Sequence, residues 1–306
     1  MARFGLGLAA LGRPGYINLG HGGDVDEPGV EQMERVAHAV LDAAYEAGVR
    51  HYDAARSYGR AEAFLASWLR RRRLRAGDVT VSSKWGYAYT AGWRADAEEH
   101  EVKDLSARQL RRQWPETRDL LGDHLGIYQI HSATLESGVL DDADVREELD
   151  RLRAAGIRIG LSVTGPGQAE TIERALVTGG FDSVQATWNL HERSAGEALA
   201  RAHEAGLLVI VKEGVANGRL SARGGDAALA AVAAERGTTE DALALAAVLA
   251  RPWADRVLSG ATNVAQLRSN LAAVEIGWDD GLEERLTALA EAPRSYWVTR
   301  SRLAWN

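Results

Sequence analysis

The 306-residue chain contains no cysteine. A disulfide scaffold and a thiolate zinc site are therefore excluded. Neither His-x-His nor His-Glu-x-x-His occurs, so no metal site is expected. Prolines number only 6 against 32 glycines, which suggests many tight turns between regular elements. Long apolar runs are absent too. The most apolar segment, residues 242–250, is nine residues long, far below the roughly 20 of a membrane-spanning helix. The apolar stretch at the N-terminus is short and broken by glycines, unlike a signal peptide. The chain reads as soluble and cytoplasmic. Basic residues are in deficit: 36 Lys+Arg against 43 Asp+Glu give a net charge of −7. Nucleic acid and anionic membranes reward basic surfaces and are not expected partners. A small molecule is. The chain is expected to be a monomer or a small homo-oligomer.

An alternation of amphipathic helix, glycine and short apolar strand fills the sequence. Met33, Val36, Ala37, Val40, Leu41 and Ala44 recur at helical spacing, Gly48 ends the helix, and residues 49–54 read as a strand. The unit returns as Val145, Leu149 and Leu152, then Gly156, then a strand over 157–162. It returns again from Ser194, with Glu197 three residues on as a capping box, then Gly206 and a strand over 207–212. Further strands are expected at 79–84, 126–131, 182–186 and 256–259, and an eighth near Leu6 to Ala10. Helices are expected near 61–72, 106–122, 168–178, 240–250 and 264–273. Pro115 should kink or restart the second of these.

Strict alternation implies parallel strands with right-handed crossovers. Eight units over this length average roughly 38 residues each, a normal size for a (β/α)8 barrel. A doubly wound sheet is the alternative. Its usual Gly-x-Gly-x-x-Gly is incomplete here, since Ala10 stands where the third glycine would fall. Residues 1–306 read as one domain, with a tail, 276–306, expected near the barrel mouth.

A barrel concentrates chemistry at the C-terminal ends of its strands. The residues there are His51-Tyr-Asp53, Lys84, His131, Ser162, Gln185 and Lys212. Each alone has an ordinary structural role. Together, Asp53, Lys84 and His131 come from successive strands, with Tyr58 on the loop beside them. A buried lysine needs a carboxylate partner, and Asp53 is available. A lysine beside a phenol favours the phenolate and lowers its pKa, as a proton donor to an alkoxide requires.

The run Gly48-Val-Arg-His-Tyr-Asp-Ala-Ala-Arg-Ser-Tyr-Gly59, then Ser-Lys84-Trp and Tyr-Gln-Ile-His131, resembles the aldo-keto reductase superfamily. Gly-Leu-Ser162, Val-Gln185-Ala, Ala-Asn217-Gly-Arg-Leu220 and the segment 259–270 continue the likeness in order. The resemblance implies a (β/α)8 TIM barrel with an N-terminal β-hairpin and NADPH-linked interconversion of carbonyls and alcohols, NADH being possible. Tyr58 would be the general acid/base, tuned by Lys84 and Asp53, with His131 orienting the carbonyl. Ser162 and Gln185 would hold the nicotinamide amide, although Val163 replaces the family's usual Asn. Lys212 stands where an aromatic usually stacks on the ring. Glu213, Val215, Gly218, Arg219, Gly260, Thr262, Gln266 and Asn270 complete the implied cofactor site. Gln266 takes the place of an arginine that elsewhere holds the 2′-phosphate, a charge Arg268 or Arg219 could supply, and Lys212, Arg219 and Arg268 are the cations expected around a polyanionic cofactor. Trp85, Tyr87 and Trp188 are expected to line a substrate pocket, and Tyr89, Trp93, Trp297 and Trp305 are further candidates. The altered nicotinamide pocket motivates a second reading, a cofactor-binding regulatory subunit of the same fold. A carboxylate-using hydrolase or isomerase is a third, disfavoured because no second strand-end carboxylate lies close to Asp53 in sequence.

Overall fold

The computed structural model describes residues 1–24 and 29–306. Eight parallel strands close into a barrel: β1 (Phe4–Gly7), β2 (His51–Asp53), β3 (Thr80–Trp85), β4 (Leu125–Ala133), β5 (Arg158–Val163), β6 (Ser183–Thr187), β7 (Leu208–Lys212) and β8 (Arg256–Ser259). Sequence neighbours are spatial neighbours. Closure is made by β1, which pairs Phe4 with Val257 of β8 and Gly5 with His51 of β2. Gly5 leaves room there: a Cβ would lie 2.7 Å from Leu258 Cδ2, which would have to shift, and 3.3 Å from the His51 carbonyl oxygen. Gly160 plays the same part inside the barrel: a Cβ would stand 2.9 Å from Gln129 and closer still to Ser183. That gap lets Gln129 lie across the interior toward β2.

The surrounding helices bury the faces their periodicity marks. Val30–Glu46 turns Met33, Ala37, Val40, Leu41 and Ala44 inward, and Gly48 follows at φ +89°, where a glycine is favoured. Glu240–Leu249 is buried almost all round, which explains its nearly continuous apolar sequence. No helix among the described residues is long and apolar enough to cross a membrane.

Four local expectations need correction. The first strand is 4–7 rather than 6–10 and belongs to the barrel. The antiparallel pair among the described residues is not N-terminal; it joins Tyr87–Tyr89 to Glu101–Lys103, in the excursion between β3 and β4. The helix Ala107–Leu121 is one element with Pro115 inside it. The helix expected from Ser194 begins at Gly196, with no side-chain cap, because Glu192 has claimed the Ser194 N–H and hydroxyl.

Candidate active site

Strand alternation decides what enters the barrel mouth. Side chains on a strand point to opposite faces in turn, so Asp53, Lys84, Ser162, Gln185 and Lys212, which lie between the midpoint and the C-terminal end of their strands, face inward. Lys84 is fully buried and donates to Asp53 Oδ2 and, at 3.0 Å, to the Ala54 carbonyl. Asp53 Oδ1 accepts from Ser82 Oγ at 2.7 Å, Gln129 Nε2 at 3.2 Å and Gln185 Nε2 at 3.1 Å. A buried carboxylate with one cation and three neutral donors is fully satisfied.

Tyr58 lies over this pair. The Lys84 Nζ is 4.9 Å from its ring centroid, and the His131 ring meets it edge-on at 5.5 Å. The phenol is raised well above its usual value, first by burial and then by Asp53. The lowering expected from Lys84 is overridden, because burial and Asp53 both disfavour the phenolate. The phenol therefore keeps its proton across the physiological range. His131 is held well below its ordinary value by burial, then by Lys84 and Lys212, so its imidazole is neutral. Its Nδ1 is buried with no hydrogen-bond partner among the described residues.

A cavity of about 310 Å³ opens above these groups. Asp53, Tyr58, Tyr87, His131, Ser162, Gln185, Lys212, Glu213, Val215 and Gly260 all reach it. Trp85 and Trp188 do not: each follows an inward-facing residue, Lys84 or Thr187, and faces outward. Trp85 is buried in the helical layer, and Trp188 packs edge-on against Trp253 at 5.7 Å. Val163 is likewise buried in the core beyond Ser162, and Thr164 is the next residue to reach the cavity.

Sequence reasoning passed over several cavity groups. Arg13 is 2% exposed. It bonds the Ser57 carbonyl at 3.0 Å and Glu101 at 2.8 Å, and its guanidinium lies 5.2 Å from the Tyr58 ring and 4.7 Å from that of Trp305. Trp305 also stacks on His100 at 4.0 Å. The tail thus reaches the mouth as expected, and Arg300, Ser301 and Leu303 line it as well.

The segment after β7 is tied down by charge. Arg300 grips both oxygens of Glu213, at 3.0 and 2.8 Å from its Nε. Burial pushes the Glu213 carboxyl up, but Arg300 and Lys212 outweigh it and hold the group at about 2. Lys212 donates to Thr187 Oγ1 at 2.9 Å and stands 3.8 Å from Glu213. Burial draws its ammonium down to about 8. Gly218, at φ +88°, lets the chain turn against Leu19, whose N–H donates to the Asn217 carbonyl at 3.0 Å.

At the far end Thr262 and Gln266 both donate to Asp24 Oδ2, at 3.1 and 3.0 Å, and Arg223 bonds the same oxygen at 2.8 Å. Asn270 donates to Ser259 Oγ at 2.8 Å. Arg219 is spent on Glu291, and Arg268 is exposed. Of the cations at this end, Arg223 is the one joined to Thr262 and Gln266, through Asp24.

A nicotinamide dinucleotide needs amide-recognising groups beside the reacting atoms and room for its phosphates along a continuous wall. Ser162 and Gln185 are polar groups that line the cavity with Tyr58 and His131 and could meet the first need. Gly260 answers the second, since a Cβ there would meet nothing within 4 Å. The described residues fit the group.

The family model for "Aldo/keto reductase family" matches residues 5–291. The chain belongs to the aldo/keto reductase family. Relatives in Bacillus subtilis include the uncharacterized oxidoreductase YqkF, 25% identical over 82% of this chain and 87% of that one. The uncharacterized oxidoreductase YrpG is 24% identical over 87% and 90%. The solved holo form of aldo-keto reductase AKR11C1 from Bacillus halodurans superimposes with a TM-score of 0.72 at 22% identity, covering 95% of this chain and 92% of that one. An aldo/keto reductase is a nicotinamide-dependent oxidoreductase, and this chain is of that class.

Proposed function

We propose that this aldo/keto reductase, one barrel unit over 1–306, interconverts an aldehyde, ketone or sugar-like carbonyl and its alcohol, using NADPH in preference to NADH. The reading is carried by the convergence of Tyr58, His131 and the Lys84–Asp53 pair on one cavity. A bound nicotinamide dinucleotide supplies or takes the hydride. Ser162 and Gln185 would hold its amide, and Val215, Gly260 and Asn217 would line its path.

The rest is the chemistry of the chain's own groups. The Tyr58 phenol holds a proton at neutral pH and gives it to the substrate oxygen. The neutral His131 ring orients that oxygen and donates a hydrogen bond as negative charge grows on it. Lys84 beside the Tyr58 ring stabilises the phenolate left behind, and Asp53 fixes Lys84. In the oxidative direction the same phenolate accepts the alcohol proton. Tyr87 and Trp305 offer ring faces to the substrate.

Mixing the protein with NADPH and a panel of aldehydes should bleach the nicotinamide absorbance. Tyr58→Phe should slow that loss by about 10²–10⁴-fold; an unchanged rate would remove Tyr58 from the mechanism. A second reading, a cofactor-binding regulatory subunit, draws on Lys212 and on the outward turn of Val163. It calls for tight dinucleotide binding with negligible turnover on every carbonyl.

A further inference from the structure

The charges of the cavity are nearly balanced in pairs. Lys84 answers Asp53, Arg13 answers Glu101, and Arg300 answers Glu213 with a two-pronged contact. Lys212 is left over. It comes no closer than 3.8 Å to Glu213, already neutralised by Arg300, and its 2.9 Å hydrogen bond goes to the neutral Thr187 hydroxyl. Among the described residues it is the cavity-lining cation whose nearest carboxylate, Glu213, is already held by a second cation, Arg300.

Its position gives that charge a target. Hydride would have to reach a carbon whose oxygen is held by Tyr58 and His131, so the ring that delivers it would lie in this cavity close to them. Lys212 reaches the same cavity beside Ser162 and Gln185, and its field is felt at His131. A nicotinamide ring is neutral when reduced and cationic when oxidised. We propose that the Lys212 ammonium discriminates between the two states of the cofactor, weakening the oxidised form and leaving the reduced form nearly untouched. The inference rests on the function proposed above. Its consequence is a site that stays loaded with reduced dinucleotide and eases release of the oxidised product.

The groups facing Lys212 are Glu213 on its own segment, Arg300 and Trp297 from the C-terminal helix, Thr187 from β6, and Lys84, Asp53 and His131 from β3, β2 and β4. Glu213 at about 2, the raised Arg300 and the neutral His131 keep one charge state between pH 7 and 9. Lys212, at about 8, does not. Its deprotonation should therefore tighten the oxidised form selectively as pH rises.

The experiment is calorimetric titration of the full chain with NADPH and with NADP⁺. The quantity read is the ratio of the oxidised to the reduced Kd. Two like charges at contact distance differ from a charge and a neutral ring by tenfold or more. Lys212→Met should therefore lower the ratio about tenfold, by tightening NADP⁺, and Lys212→Arg should preserve it. In the unsubstituted protein the ratio should fall between pH 7 and 9, which serves even if a variant does not fold. An equal ratio in Lys212→Met, or one flat with pH, overturns the inference while both dinucleotides still bind. If neither dinucleotide binds the unsubstituted protein, the proposed function fails and the inference fails with it.

Discussion

Replacing Lys84 by methionine leaves the Asp53 carboxylate buried against an apolar side chain. Asp53 is 2% exposed, so water cannot take the place of the ammonium. Removing one partner of a buried ion pair costs about 3–5 kcal/mol. The three neutral donors that remain, Ser82, Gln129 and Gln185, continue to bind the carboxylate. Each contributes about 1 kcal/mol net, which places the expected loss near the low end of that range. Asp53→Asn should cost at least as much, because it strands an ammonium whose other acceptor is the Ala54 carbonyl. Combining Lys84→Met with Asp53→Asn removes both charges, and the pair should lose well under the sum of the single losses. Urea unfolding followed by far-ultraviolet circular dichroism gives all four stabilities of the cycle. A Lys84→Met loss below about 1 kcal/mol, or additive losses, would refute the buried pair as the frame of the site.

The clasp between Arg300 and Glu213 has a definite pH signature. Glu213 is held at about 2, below its ordinary 4.5, so its contribution is present above 4.5 and is lost as pH falls toward 2. Arg300→Met should therefore destabilise the protein by about 3 kcal/mol at pH 7, and the gap to the unsubstituted chain should shrink by about half or more at pH 3 and close only below about pH 2. A gap of equal size at both values would assign the loss to packing instead. Asp24 presents a carboxylate to Thr262 and Gln266, where the resemblance sets the 2′-phosphate. Asp24→Asn should raise affinity for NADPH relative to NADH by about three- to tenfold in parallel titrations. An unchanged preference would place the phosphate elsewhere.

Much of this was legible in the sequence, and the reason is periodicity. Helix, glycine and apolar strand repeat with the spacing of a barrel, so all the strands but the first lie within about two residues of their expected ends. Polar residues that close such strands can only converge on one mouth. The rule of two also explains the errors. Trp85, Trp188 and Val163 each follow an inward residue and must face the helices, so reading them as cavity residues contradicts the alternation that places Lys84, Thr187 and Ser162 inside. Other groups carried no sequence signal. Arg13 and Glu101 come from the N-terminal loop and the excursion after β3, which meet only in the folded chain. Asp24 and Arg223 lie 199 residues apart and meet only across the mouth. The antiparallel pair after β3 was missed because short strands within an excursion lack an apolar face to mark them. The direction of the Tyr58 shift was also out of reach, since burial is a property of the fold and not of neighbouring residue types.

The central claim is proton donation by Tyr58 to a carbonyl as hydride arrives from a nicotinamide. It is tested most directly with NADPH deuterated at the transferable C4 position. The alcohol product formed from an aldehyde panel is analysed by mass spectrometry, for the unsubstituted protein and for Tyr58→Phe. The expected result is one deuterium on the carbinol carbon per dinucleotide consumed, and almost no labelled product from a Tyr58→Phe protein that still binds NADPH. Label transfer at equal rates in both proteins, or NADPH binding with no labelled alcohol from any carbonyl, would contradict it.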